Sequence, residues 1–202
     1  MFSPLTENSL QLVSQAHKYL PTYGGSLSNH LPMALMAMEK IGANRQQLET
    51  EYRAHEQHLE LFSESRLINN LQPERGNPDT LLALIDFYHA DIVANGMREA
   101  VEKAINELLP GLAAASFHGI IRLSYAVESN SPHEVSHALG LFAANYVSPG
   151  PLIRDPMLTL EQHLGNATTR FSDQKYPEGL FRMISSFCLS NPDTKKLLQY
   201  LK

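Results

Sequence analysis

The residues of this chain that could do chemistry are above all its histidines. Nine of them occur among 202 residues, and imidazole both binds transition metals and exchanges protons near neutral pH. Cys188 is the only cysteine, so the sequence offers no thiol pair for a disulfide or a zinc knuckle. Because Cys188 lies in an apolar helical segment, we expect it to pack rather than to act as a nucleophile.

Two histidines lie on helices that the sequence predicts to be buried. His30 opens an apolar stretch over residues 31–38, and a buried imidazole needs a partner for each nitrogen. His118 shares one helix face with Arg122 and Tyr125, at spacings of i, i+4 and i+7. Either residue fits a binding site or a structural hydrogen-bond network, because a polar group on a buried helix must be paired in both cases.

Three further histidines have spacings or neighbours that suit a metal. His89 lies between Asp86 and Asp91, and a carboxylate often holds the far nitrogen of a metal-bound histidine as well as that of a surface one. His133 and His137 are four residues apart, which lets two imidazoles share a metal but also arises by chance. Converging histidines would favour zinc, iron, copper or nickel over magnesium or calcium. The remaining histidines lie among polar residues and are predicted to be exposed: His17, His55, His58 and His163.

Helical periodicity runs through nearly the whole chain, so we predict an all-α fold of about eight helices with little or no sheet. Helices are expected over about 28–42, 112–129, 132–146, 157–170 and 177–199, with the longest loop at about 63–79. Ser131, Pro132 and Glu134 form a predicted capping box at one helix start. We expect residues 1–202 to form one domain, with 148–202 as its C-terminal helices.

Composition excludes several classes of protein. The chain is 43% hydrophobic, which is too much for a disordered protein, and its net charge of −5 comes without a basic run for nucleic acid. No apolar stretch is long enough to span a bilayer, so we expect no membrane partner and a cytoplasmic location. Glycine-rich nucleotide loops and the HExxH and GxSxG motifs are absent from the sequence, which leaves NADPH dependence open.

Two segments resemble the signatures of a known family. Residues 28–32 read SNHLP and continue through Ala34-Leu35 to Ile41-Gly42-Ala43, and residues 115–128 read ASFHGIIRLSYAVE. These are similar to the NHL and FHGxIR…YA stretches of the questin oxidase-like family, over about residues 23–147. The second segment is the more specific of the two.

The resemblance implies an all-helical protein related to fungal oxygenases that open anthraquinone-type rings, with non-haem iron held mainly by histidines. By position, His30 and His118 are the matching ligands. The site is then either incomplete or completed by His89, by His137 or by another subunit. The chain is shorter than those enzymes, and residues 151–202 match no part of the pattern that we could place. The sequence leaves the oligomeric state, including a homo-oligomer, open.

Three functions remain as hypotheses. The first is a metal-dependent oxidoreductase of the questin oxidase-like type acting on an aromatic or polyketide-like molecule, with His30, His118 and His89 as ligands. Arg122 and Tyr125 would be catalytic, behind the ligands or on the substrate. Its apolar pocket is expected among four residues: Met33, Met36, Phe117 and Ile121. The second is a non-catalytic helical module that binds a hydrophobic ligand or a partner helix, and the third is a haem protein with one axial histidine.

Overall fold

A computed structural model of the chain describes residues 5–24, 27–62, 73–112 and 114–148, together with 159, 161 and 162. The chain divides into two compact units, Met1–Val147 and Ser148–Lys202. In the second unit, the Gln162 backbone N–H donates to Thr159 Oγ1 over 3.3 Å, as at the start of a helix. The rest of the helices predicted over about 157–170 and 177–199 lies outside the described residues, and the membership of 148–202 in one domain stays a prediction.

The described part of the chain is mostly helical, which confirms the predicted all-α class. A two-stranded antiparallel ribbon, with Thr22 opposite Ser28, is the sheet seen within that part. None of the described helices combines the length and apolar character needed to cross a membrane. In chain order the elements are α1 Glu7–Ala16, β1 Thr22–Tyr23, β2 Leu27–Ser28, α2 Leu31–Lys40, α3 Arg45–Glu56, α4 Leu81–Asn95, α5 Met97–Leu108, α6 His118–Ser129 and α7 Pro132–Ala144.

The first unit contains two hydrophobic cores. One lies among α4, α5, α6 and α7, and the other lies among α1, α2 and α3. Helix α7 is buried from Glu134 to Ala144, so it forms the centre of the first core. Gly140 allows α4 to approach α7 closely, because a Cβ atom there would lie 2.5 Å from Ile85 Cγ1. This close packing brings the histidines of α4 and α7 together.

The start of α7 agrees only in part with the predicted capping box. Ser131 caps the helix, since its Oγ accepts the Glu134 backbone N–H over 3.3 Å. The Glu134 side chain does not complete the box, because the Ser131 N–H donates to Ser129 Oγ instead. Glu134 is fully buried and binds Arg122, so a charged partner in the core displaces the local capping interaction.

Helix α6 begins at His118, several residues later than the predicted start at about 112. Ala115, Ser116 and Phe117 precede it in the left-handed region, with φ values of 49°, 53° and 67°. A left-handed residue other than glycine costs roughly 1–2 kcal/mol, so the chain stores strain directly before His118. The apolar periodicity continues through this reversal, which is why the sequence predicted an uninterrupted helix.

Candidate functional site

His30 and His118 form a contact pair between α2 and α6. His30 immediately precedes α2, and His118 is the first residue of α6. Their ring centroids are 4.9 Å apart and the rings meet edge to face at 76°. His30 is exposed, contrary to the expectation of burial, because it lies at the helix end rather than within the apolar stretch that follows it. The structure thus brings together the two residues that the resemblance implied as ligands.

The His118 ring of this pair is held by a backbone carbonyl. His118 Nδ1 lies 2.6 Å from the Ala115 oxygen. Because a carbonyl only accepts, Nδ1 donates to it and Nε2 is left for a ligand. Partial desolvation of the His30 ring and the neighbouring His118 lower the pKa of His30, although the nearby backbone of Ser28 opposes them. A carbonyl-held imidazole such as His118 is typical of metal-binding histidines.

Arg122 forms an ion pair with Glu134, which the sequence analysis interpreted only as part of a helix cap. Its Nε and Nη2 donate to the two carboxylate oxygens of Glu134 over 2.8 and 3.1 Å. His17 Nε2 lies 3.0 Å from the same carboxylate. Burial acts to raise the pKa of Glu134, but the charge of Arg122 and the hydrogen bonds from His17 and Arg122 outweigh it and lower this pKa to about 2. Glu134 is therefore ionised at neutral pH.

Four histidines meet beside this carboxylate, and we call them the four-histidine cluster: His17, His89, His133 and His137. His89 stacks on His133 with centroids 4.5 Å apart, and His17 lies 5.0 Å from His137 and 5.9 Å from His133. His17 was predicted to be exposed, but its side chain is only 14% exposed because it reaches Glu134. Nothing in the sequence indicates this contact, because His17 and Glu134 are 117 positions apart.

The cluster disfavours the protonated form of His133 and His137 and leaves some ring nitrogens without hydrogen-bond partners. Burial and the charge of Arg122 lower the pKa of His137 to about 3, against the opposing charge of Glu134. Burial and the neighbouring rings of His89 and His17 also lower the pKa of His133. The Nδ1 atoms of His89 and His137 are buried without a hydrogen-bond partner. Unpaired buried nitrogens are costly, and they mark a place where a ligand can supply the missing bond.

A cavity of about 250 Å³ opens at this cluster. Helices α4 and α7 supply seven of its lining residues and Phe62 the eighth, and both apolar and polar side chains are among them. The lining is Phe62, Leu82, Ile85, Asp86, His89, His133, Ser136 and His137.

The pocket residues expected from the sequence do not line this cavity. Met33 and Met36 are buried, whereas Phe117 and Ile121 are 48% and 44% exposed. Tyr125 is half-buried and packs against the core of α1, α2 and α3.

The predicted ligand set is divided between two places. His30 and His118 pair with each other, whereas His89 stacks on His133 in the four-histidine cluster. Among the residues that the structure describes, no three or more His, Cys, Asp or Glu side chains are grouped so that they could hold a metal ion. Within the part of the chain that the structure describes, His30 and His118 are therefore together and His89 is apart from them.

Similarity to known proteins is found at the level of a family model. No curated protein and no solved structure is significantly similar to the chain. The family model described as questin oxidase-like matches residues 27–197, which extends well beyond the predicted 23–147 and includes residues that the sequence analysis could not place. The matched range holds the His30–His118 pair and all of the four-histidine cluster except His17. The chain therefore belongs to the questin oxidase-like family.

Proposed function

We propose that this protein is an oxidoreductase that acts on an aromatic or polyketide-like small molecule, with non-haem iron held by His30 and His118. The family supports an oxidoreductase-type function. The observation that carries the metal assignment is the His30–His118 pair itself, with ring centroids 4.9 Å apart and His118 Nδ1 held by the Ala115 carbonyl. Histidine is a common ligand of iron, zinc and copper in proteins.

The pair would supply two of the protein ligands of an iron ion. Non-haem iron enzymes commonly use three protein ligands and leave the other positions open. The described residues supply no third ligand grouped with His30 and His118, so the proposal assigns only these two. Bound iron would supply the electron-transfer and dioxygen chemistry that side chains alone lack.

The residues around His30 and His118 favour metal binding by these two rings. Partial desolvation of the His30 ring, the neighbouring His118 and the charge of Arg122 lower the pKa of His30, which favours the neutral ring that binds a metal. The strained turn at residues 115–117 directs the Ala115 carbonyl onto His118 Nδ1 and so fixes the tautomer of that ring. In this proposal Arg122 acts behind the pair, since Glu134 occupies two of its donor nitrogens.

Elemental analysis of the purified full-length protein tests the assignment. We expect near-stoichiometric iron in the wild type, after anaerobic reconstitution if necessary, and loss of iron in His30→Ala and in His118→Ala. His58→Ala is the matched control, because His58 is exposed in the turn after α3 and should leave the iron content unchanged. A wild type that takes up no transition metal would contradict the proposal.

A non-catalytic binding module is the second candidate, and the cavity of about 250 Å³ favours it. Under this hypothesis the histidines are hydrogen-bonded core groups, no metal is bound, and His118→Ala lowers stability without removing an activity. The same metal analysis separates the two candidates, because a binding module shows no difference in metal content between the wild type and either variant.

A further inference from the structure

We propose that the cavity at the four-histidine cluster is a second binding site, and that it takes a small neutral aromatic molecule of one or two rings that carries a hydroxyl group. The site uses none of the residues of the His30–His118 pair. It goes beyond the proposed function, because it requires no metal and assigns a ligand to residues that the metal assignment leaves unused.

The unpaired nitrogens are the first reason. His137 is 6% exposed and lines the cavity, yet its Nδ1 has no hydrogen-bond partner, and the same is true of His89 Nδ1. A buried nitrogen without a partner carries a desolvation cost, and a ligand that completes the bond removes it. A neutral imidazole nitrogen is either a donor or an acceptor, depending on the tautomer. A hydroxyl group both donates and accepts, so it satisfies either form.

The shape of the lining is the second reason. His89 and His133 both line the cavity, and their rings stack with an angle of only 17° between them. Phe62, Leu82 and Ile85 add apolar side chains around it. Flat aromatic rings pack well against such surfaces. A volume of about 250 Å³ is at the small end for ligand cavities, which limits the ligand to one or two rings.

Charge is the third reason. Among the eight lining residues Asp86 is the only acidic side chain, and no lysine or arginine is present. The buried carboxylate of Glu134 beside the cluster is paired with Arg122, so it does not change this balance. An anionic ligand would approach Asp86 without a cation in the lining to offset that carboxylate. The cavity therefore favours a neutral hydroxyl group over a carboxylate of the same size.

Titration of the full-length protein with 2-naphthol, followed by ligand fluorescence or calorimetry, tests the proposal. We expect saturable binding to the wild type and about tenfold weaker binding to His89→Phe, which keeps the stacking on His133 but removes the unpaired nitrogen. Leu82→Phe, which fills the cavity, should also weaken binding at least about tenfold. If His89→Phe fails to fold, as judged by circular dichroism, Leu82→Phe decides the question. 2-Naphthoate should bind the wild type at least about tenfold more weakly than 2-naphthol does.

Three controls separate this site from the rest of the molecule. His58→Phe and Leu109→Phe place the same side chain at exposed positions and should bind 2-naphthol like the wild type. His30→Ala should also bind 2-naphthol like the wild type, whatever its metal content. The binding result can therefore be interpreted even if the metal assignment fails. The proposal is overturned if the wild type shows no saturable binding of 2-naphthol, or if His89→Phe and Leu82→Phe bind it as tightly as the wild type. It is also overturned if 2-naphthoate binds as well as 2-naphthol, or if His30→Ala loses the binding.

Discussion

Arg122 and Glu134 form a two-point ion pair inside the protein, with side chains 1% and 0% exposed. Helices α6 and α7 carry the two residues, and His17 adds a third contact from the end of α1. The pair lies next to the four-histidine cluster, and its arginine contributes to the lowered pKa of His30. A single buried ion pair thus influences both groups of histidines, and it provides the first prediction.

Glu134→Gln should destabilise the protein by about 3–5 kcal/mol, because it leaves the Arg122 charge buried without its counter-ion. Chemical denaturation followed by circular dichroism measures the change. Glu49→Gln is the matched control, since Glu49 pairs with Arg45 on the exposed surface of α3 and should leave the midpoint unchanged. A midpoint for Glu134→Gln equal to that of the wild type would show that the ion pair does not stabilise the fold.

Stability should fall as the pH falls from neutral, and histidine causes the first part of the loss. The pKa of His137 is lowered to about 3 in the folded protein, whereas an unfolded histidine has its ordinary value near 6.5. Above the pKa of the unfolded histidine, the contribution of neutral His137 to stability is fully present. Below that pKa the unfolded chain gains a proton at His137 that the folded protein excludes, so the folded state loses stability. This single group gives a slope of about 1.4 kcal/mol per pH unit between these two values.

Glu134 adds a second loss at lower pH. Its pKa of about 2 in the folded state lies below the ordinary value of 4.5, so its contribution to stability is present above pH 4.5 and decreases as the pH falls toward 2. Thermal unfolding between pH 7.5 and pH 3.5 should show a decline that begins below about 6.5 and steepens below about 4.5. A melting temperature that stays constant from pH 7 to pH 5 would argue against a neutral, buried His137.

Ser116→Gly should stabilise the protein by about 1 kcal/mol, because Ser116 has a φ of 53° and glycine adopts this conformation without strain. Ser124→Gly is the matched control on α6, where the backbone is helical and the side chain is exposed. The control should lower stability by about 0.5–1 kcal/mol, since glycine weakens a helix interior. Equal losses for both variants in denaturant titrations would mean that residues 115–117 are not strained.

Gly140→Ala should destabilise the protein by about 1–3 kcal/mol, because the added Cβ would lie 2.5 Å from Ile85 Cγ1 and force α4 away from α7. The measurement is again the free energy of unfolding. Combined with Ile85→Ala, the loss should be smaller than the sum of the two single losses, since the second change makes room for the first. Strictly additive losses of stability would indicate that Gly140 and Ile85 are not in contact.

The helices and several of their ends were predictable because the signals for them are local. Apolar spacing predicted an all-α chain, and Ser131 caps α7 as expected. Local periodicity could not reveal the left-handed turn before His118, since the apolar spacing continues through the reversal of the backbone.

The candidate site was predictable only as far as its residues share one element or one family motif. The sequence placed His118 and Arg122 on one helix face, and the resemblance pointed to His30 beside His118. Glu134 was interpreted as a cap because its position at the helix start is a local signal, whereas its partner Arg122 lies on another helix. His17 joins Glu134 across 117 residues, a contact that exists only because α1 packs near α7. The sequence by itself determined the helices and the residues on each face, and the tertiary structure alone decided which faces meet, because that depends on how helices distant in the chain pack around a common core.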